Sequence, residues 1–92
     1  MEDQDPKKIA AQIGFRIAEL RRQKAWTQEE FSVQLGTTFQ WVSQVEAGRN
    51  LTIYSLVKIA NALNTKLAEL FVSAAGTTVR RRGRPPKRTP LL

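Results

Sequence analysis

The chain has 92 residues, 41% of them hydrophobic, and carries 15 Lys and Arg against 8 Asp and Glu, a formal charge of +7. One small core fits in that length and a second does not, while the cationic excess points to an anionic partner. With neither cysteine nor histidine present, disulfides, thiolate zinc sites, cysteine nucleophiles and imidazole bases are excluded, which reads as no enzyme, no metal and no cofactor.

The acidic start Met1-Glu2-Asp3-Gln4-Asp5 is unlike a targeting leader, and no apolar run approaches membrane-spanning length, so a cytoplasmic protein is expected. Asp5-Pro6 reads as an N-cap followed by proline at the first helical position. Ile9, Ile13, Ile17 and Leu20 then recur every three or four residues, which predicts a first helix running to Lys24. Trp26 follows as an apolar residue expected in the core. Thr27-Gln28-Glu29-Glu30 has the spacing of a capping box and predicts a second helix over 28–35, burying Phe31 and Leu35 and ending at Gly36. Thr37 or Thr38 caps a third helix over 39–47, with Val42 and Val45 inward and Gly48 as its stop. Thr52 opens a fourth, in which Ile53, Leu56, Val57, Ile59, Ala60 and Leu63 form an apolar stripe and Asn64 suits the left-handed position beyond the end. Thr65 is expected to cap a short fifth helix through Leu67, Leu70 and Phe71. No strand signal is present, and the fold class expected is all-α with five helices.

After Gly76 the periodicity stops. Arg80, Arg81, Arg82, Arg84, Lys87 and Arg88 hold six of the fifteen cations with no acid among them, leaving nine cations against eight acids over residues 1–76. The chain is therefore a nearly neutral domain with a cationic arm, which cannot fold on itself because like charges repel and little apolar surface is present. Residues 1–8 form an extension and the start of the first helix, 9–74 the folded domain, and 75–92 the basic tail.

Two helices of about eight residues joined by Leu35-Gly36-Thr37-Thr38 have the dimensions of a helix-turn-helix. Beyond geometry, Leu20-Arg21, Thr27-Gln28-Glu29-Glu30, Val42-Ser43-Gln44-Val45-Glu46-Ala47-Gly48, Ile59-Ala60-Asn61-Ala62-Leu63 and Leu67-Ala68-Glu69-Leu70-Phe71 stand in register over about two thirds of the chain. In these the chain resembles the lambda-repressor/Cro-like helix-turn-helix family. That resemblance implies a homodimeric DNA-binding transcriptional regulator, a repressor or autoregulator of bacterial or phage origin associated with the nucleoid, that binds a palindromic operator in double-stranded DNA.

The resemblance also implies roles for single residues. Gln28 matches a glutamine that clamps a DNA phosphate, against the alternative of a solvated first-turn residue. Gln40 and Gln44 match positions that read base edges, and a glutamine amide, donor and acceptor together, suits adenine in the major groove. Ser43 shares their face, either bonding base or phosphate or acting as a spacer, and Phe39 either packs on a thymine methyl or anchors the helix without reading. Thr38, Trp41, Arg49 and Asn50 are the expected backbone contacts, Trp41 through its indole N–H or by stacking on sugar, with a partly buried core tryptophan as the alternative. Arg21 and Glu46 match a structural ion pair, and Leu67, Leu70, Phe71 and Val72 are the candidates for the dimer interface.

In the tail, Arg82-Gly83-Arg84-Pro85, flanked by Arg80, Arg81, Lys87 and Arg88, resembles the core of an AT-hook. Glycine would lie at the floor of a narrow minor groove in an A/T-rich flank while the arginines extend along it. Two rival readings remain: an antitoxin that neutralises a protein partner and autoregulates its operon, and an architectural protein that binds DNA without sequence preference.

Overall fold

The computed structural model describes residues 3–72, and the whole basic arm lies outside them. The described residues form α1 (Pro6–Gln23), α2 (Gln28–Leu35), α3 (Phe39–Glu46), α4 (Ile53–Ala62) and a 3-10 turn at Leu67–Phe71. Each α-helix starts on a side-chain oxygen that accepts an otherwise orphaned amide: Asp5 from Lys7, Thr27 from Glu30, Thr38 from Trp41 and Thr52 from Ser55. Such caps stabilise a helix by about 1 kcal/mol each.

The four helices also end alike. Ala25, Gly36, Gly48 and Asn64 take left-handed φ values of 61°, 68°, 89° and 56°. The amide of the following residue then reaches back to the last turn, Trp26 to Arg21, Thr37 to Ser32, Arg49 to Gln44 and Thr65 to Ala60. Ala25 is the strained member, because a left-handed alanine brings its Cβ against the carbonyl oxygen at about 1 to 2 kcal/mol. Ala25→Gly relieves that strain but enlarges the conformational freedom of the unfolded chain. A net gain of about 0.5 to 1 kcal/mol is expected in urea denaturation. A loss would mean that the turn is not left-handed in solution.

The fifth helix expected from the sequence is instead the 3-10 turn. Thr65 does not cap it: the cap position falls to Lys66, which supplies no side-chain hydrogen bond, and the Thr65 amide closes the end of α4 on the Ala60 carbonyl. Five uncapped residues are too few to repay the nucleation of an α-helix.

The core lies between all the elements. Ile13 and Ile17 of α1, Phe31 and Leu35 of α2, Val42 and Val45 of α3, and Leu56, Ile59, Ala60 and Leu63 of α4 close it together with Leu70 of the turn. Trp26 packs on its edge, stacked on Phe31 with ring centroids 5.9 Å apart and with the Lys24 Nζ 5.6 Å from the indole. Arg16 ties the turn to α1, donating from Nε to the Glu69 carbonyl at 2.8 Å and from Nη2 to its carboxylate at 3.1 Å.

Two expectations about buried faces need correction. Ile53 and Val57, assigned to the apolar stripe of α4, are exposed, as is Tyr54 between them. They project from a flank of α4 that the described elements leave uncovered. Leu70, a candidate for the dimer interface, is wholly buried in the monomer core, and Leu67 packs against that core. Only Phe71 and Val72 of that group remain exposed. No helix among the described residues is long and apolar enough to cross a membrane.

Candidate nucleic-acid interface

Helix α3 presents two unlike faces. Val42 and Val45, three residues apart, are 0% and 1% exposed and lock the helix into the core. The remaining arc carries Phe39, Gln40, Ser43 and Gln44, all exposed. Successive residues advance by 100°, so positions 40, 43 and 44 share one ridge with 39 at its edge. The ridge is convex and carries amides and one hydroxyl, with no nucleophile and base in reach of one another. Nor do the described residues hold any acidic cluster suited to a metal ion. Its chemistry is that of hydrogen-bond recognition.

What holds the ridge out is the docking of α3 on α1. Gly14 is buried where an added Cβ would land on the Glu46 carbonyl oxygen, and one at Gly48 would lie 3.0 Å from the Ala10 carbonyl carbon. The two helices therefore meet backbone to backbone. A glycine inside a helical pattern is the sequence signal for such an approach, and the sequence reading did not use it at Gly14.

Beside this contact Arg21 and Glu46 form a nearly buried ion pair, with side chains 10% and 7% exposed. Arg21 Nε donates to Glu46 Oε2 at 2.7 Å and Nη2 to Oε1 at 3.1 Å, while Nη1 donates to the Trp26 carbonyl at 2.7 Å. Gln28 joins from the start of α2, its Nε2 donating to Glu46 Oε1 at 2.9 Å. One network thus links the end of α1, the first turn of α2 and the last turn of α3. Gln28 is half-buried with one N–H committed to Glu46, so the other N–H is the donor it has left for an anion.

The other expected backbone contacts surround the ridge. Thr38 is exposed, and its hydroxyl oxygen accepts from the Trp41 amide at 3.1 Å, leaving its proton free to donate. Trp41 is half-buried against the core, closer to the alternative given for it than to a free phosphate donor. Its remaining surface lines a shallow cleft with Thr37, Asn50, Thr52, Tyr54 and Lys58. Arg49 is exposed and shares a second cleft with Pro6, Lys7, Ala10 and Gly48 at the far end of α3. Lys7 and Lys58 were not singled out from the sequence, because isolated lysines carry no spacing signal. Asn50 is exposed with φ of 58°, and its Nδ2 donates to Gln44 Oε1 rather than standing free.

Known proteins share this arrangement. A helix-turn-helix family model matches residues 17–70. The uncharacterized HTH-type transcriptional regulator y4dJ of Sinorhizobium fredii is 41% identical over 59 residues, which take in 63% of this chain and 77% of that protein. Among solved structures, the restriction-modification controller protein C.AhdI from Aeromonas hydrophila superposes with a TM-score of 0.69 at 33% identity, covering 74% of this chain and 100% of that one. The hypothetical transcription factor NHTF from Neisseria gives 0.67 at 30% identity, covering 79% and 85%. The family match takes in more than half of the chain and contains both helices of the motif together with the exposed ridge, so the chain belongs to the helix-turn-helix family of DNA-binding transcription regulators.

Proposed function

We propose that the protein is a homodimeric repressor or autoregulator that inserts α3 into the major groove of a palindromic operator and lays its basic tail along an A/T-rich minor groove beside it. The observation that carries the reading is the exposed ridge of Gln40, Ser43 and Gln44 on a helix otherwise locked into the core. The major groove is about 12 Å wide and admits a helix whose polar side chains meet base edges. Phe39 at the edge of the ridge packs on a thymine methyl. Gln28, Thr38 and Arg49 hold the helix in register on the sugar–phosphate backbone, with the exposed edge of Trp41 and the Asn50 loop beside them, and Lys7 and Lys58 add positive charge in the flanking clefts.

Dimerisation is supported by the exposed apolar side chains of two elements that pack on one another, Ile53, Tyr54 and Val57 on α4 and Phe71 and Val72 at the turn. A two-fold dimer puts recognition helices one turn of DNA apart, about 34 Å. The likeness to a restriction-modification controller protein supports a regulatory role. A DNA-binding role also agrees with a protein that works in the cytoplasm.

Selection of bound duplexes from a random pool tests this reading. An approximate palindrome is expected, with half-sites one helical turn apart. A flat profile would contradict it and favour an architectural role, and a stoichiometric second protein co-purifying with the chain would favour an antitoxin.

A further inference from the structure

Asn50 lies beyond the end of α3, yet its side chain returns to the ridge. Its backbone is held from two directions. The φ of 58° turns the chain back at this residue, and its carbonyl shares the one proton of the buried Ser55 hydroxyl with the Thr52 carbonyl, each at 3.0 Å. That hydroxyl also accepts the Thr52 amide at 3.0 Å in the capping box of α4, so the loop holding Asn50 is fastened to a helix that is itself fixed in the core. From this base the Asn50 Nδ2 donates to Gln44 Oε1. The backbone carbonyl of Gln44 meanwhile accepts the Arg49 amide at 2.8 Å, so side chain and main chain of Gln44 are both tied to the segment that follows α3.

An unrestrained glutamine amide turns over freely and offers whichever end suits the base, and adenine, with a donor and an acceptor side by side, satisfies both ends at once. At Gln44 the choice is biased before DNA arrives. One lone pair of Oε1 is committed to Asn50, whereas both hydrogens of Nε2 are unspent among the described residues. We propose that Asn50 is a specificity-determining residue that acts through Gln44, fixing its amide so that the donor end faces the groove and selects an acceptor-rich base edge, guanine with N7 and O6 before adenine. Asn50 is then a positioning residue more than a phosphate contact. The inference rests on the proposed reading of α3 as the recognition helix, and it separates Gln44 from Gln40, for which the structure gives no such restraint.

The test compares base preferences selected from random duplexes by the full-length protein and its Gln44→Ala, Asn50→Gly and Asn50→Asp variants. Gln44→Ala identifies the base pair that Gln44 reads. Asn50→Gly keeps the left-handed backbone, which glycine adopts without strain, and removes only the amide. The guanine preference at the Gln44 base pair should fall by about fivefold, the low end of what one well-placed contact discriminates. Preference at other positions should be kept, because a lost phosphate contact weakens all sequences alike. Asn50→Asp offers an acceptor in place of the donor, so Gln44 turns its Nε2 inward and its carbonyl outward. Preference should then move to a donor edge, cytosine N4 or adenine N6. An unchanged Gln44 base pair in both Asn50 variants, with specific binding intact, would overturn this inference alone. Wild-type protein without any selected base would overturn the reading of α3 and the inference together.

Discussion

Arg21→Ala is expected to remove a large share of the domain's stability. The guanidinium and the Glu46 carboxylate are nearly buried, and the arginine donates three hydrogen bonds, two to Glu46 and one to the Trp26 carbonyl. Removing the cation strands the carboxylate in a poorly solvated site with the Gln28 amide as its remaining side-chain donor. Deleting one partner of a buried pair costs about 3 to 5 kcal/mol, against roughly 5 to 15 kcal/mol for the whole stability of a small domain. Arg21→Met combined with Glu46→Met should recover part of the loss, since no unpaired charge remains. Urea denaturation of the single and double variants measures both quantities. A single variant as stable as wild type would mean that the pair is open to solvent.

Deleting residues 77–92 should change how binding responds to salt more than any single substitution in the domain. The tail carries six of the chain's fifteen cations, and the rest of the chain is nearly neutral. Six phosphate contacts release counterions with a slope of about 0.9 each, so log K against log salt should become shallower by about 5. Between about 50 and 200 mM salt, full-length protein should lose roughly a thousandfold more affinity than the tail-less form. A/T-rich duplexes should suffer most from the deletion, because their narrow minor groove concentrates negative potential on arginine. Equal slopes with and without the tail would remove the arm from the interface.

The sequence was most legible where the determinant is local. Thr27, Thr38 and Thr52 cap their helices because the hydroxyl needs only the amide three residues on. Gly36, Gly48 and Asn64 end theirs because the left-handed backbone selects those residue types. The inward Val42 and Val45 follow from helical period alone, and with them the outward Gln40 and Gln44. Legibility failed where the answer depends on what another element covers. Periodicity groups Ile53 and Val57 with Leu56 and Ile59, but it cannot say that the partners of α4 stop short of that flank. Leu67, Leu70 and Phe71 carry helical spacing, yet Thr65 was already committed to ending α4 and the segment tightened to a 3-10 turn. The Gln28 bond to Glu46 spans 18 residues, so no local pattern encodes it, and Gly14 signals a close approach without saying that Glu46 is what approaches.

The central claim is that α3 reads base edges, and affinity of the Gln40→Ala variant for the selected duplex tests it most directly. Gln40 is exposed on the ridge, so its removal should leave the fold intact. A loss of about 1 to 3 kcal/mol is expected, with relaxed preference confined to one base pair of each half-site. Affinity and base preference both equal to wild type would contradict the account.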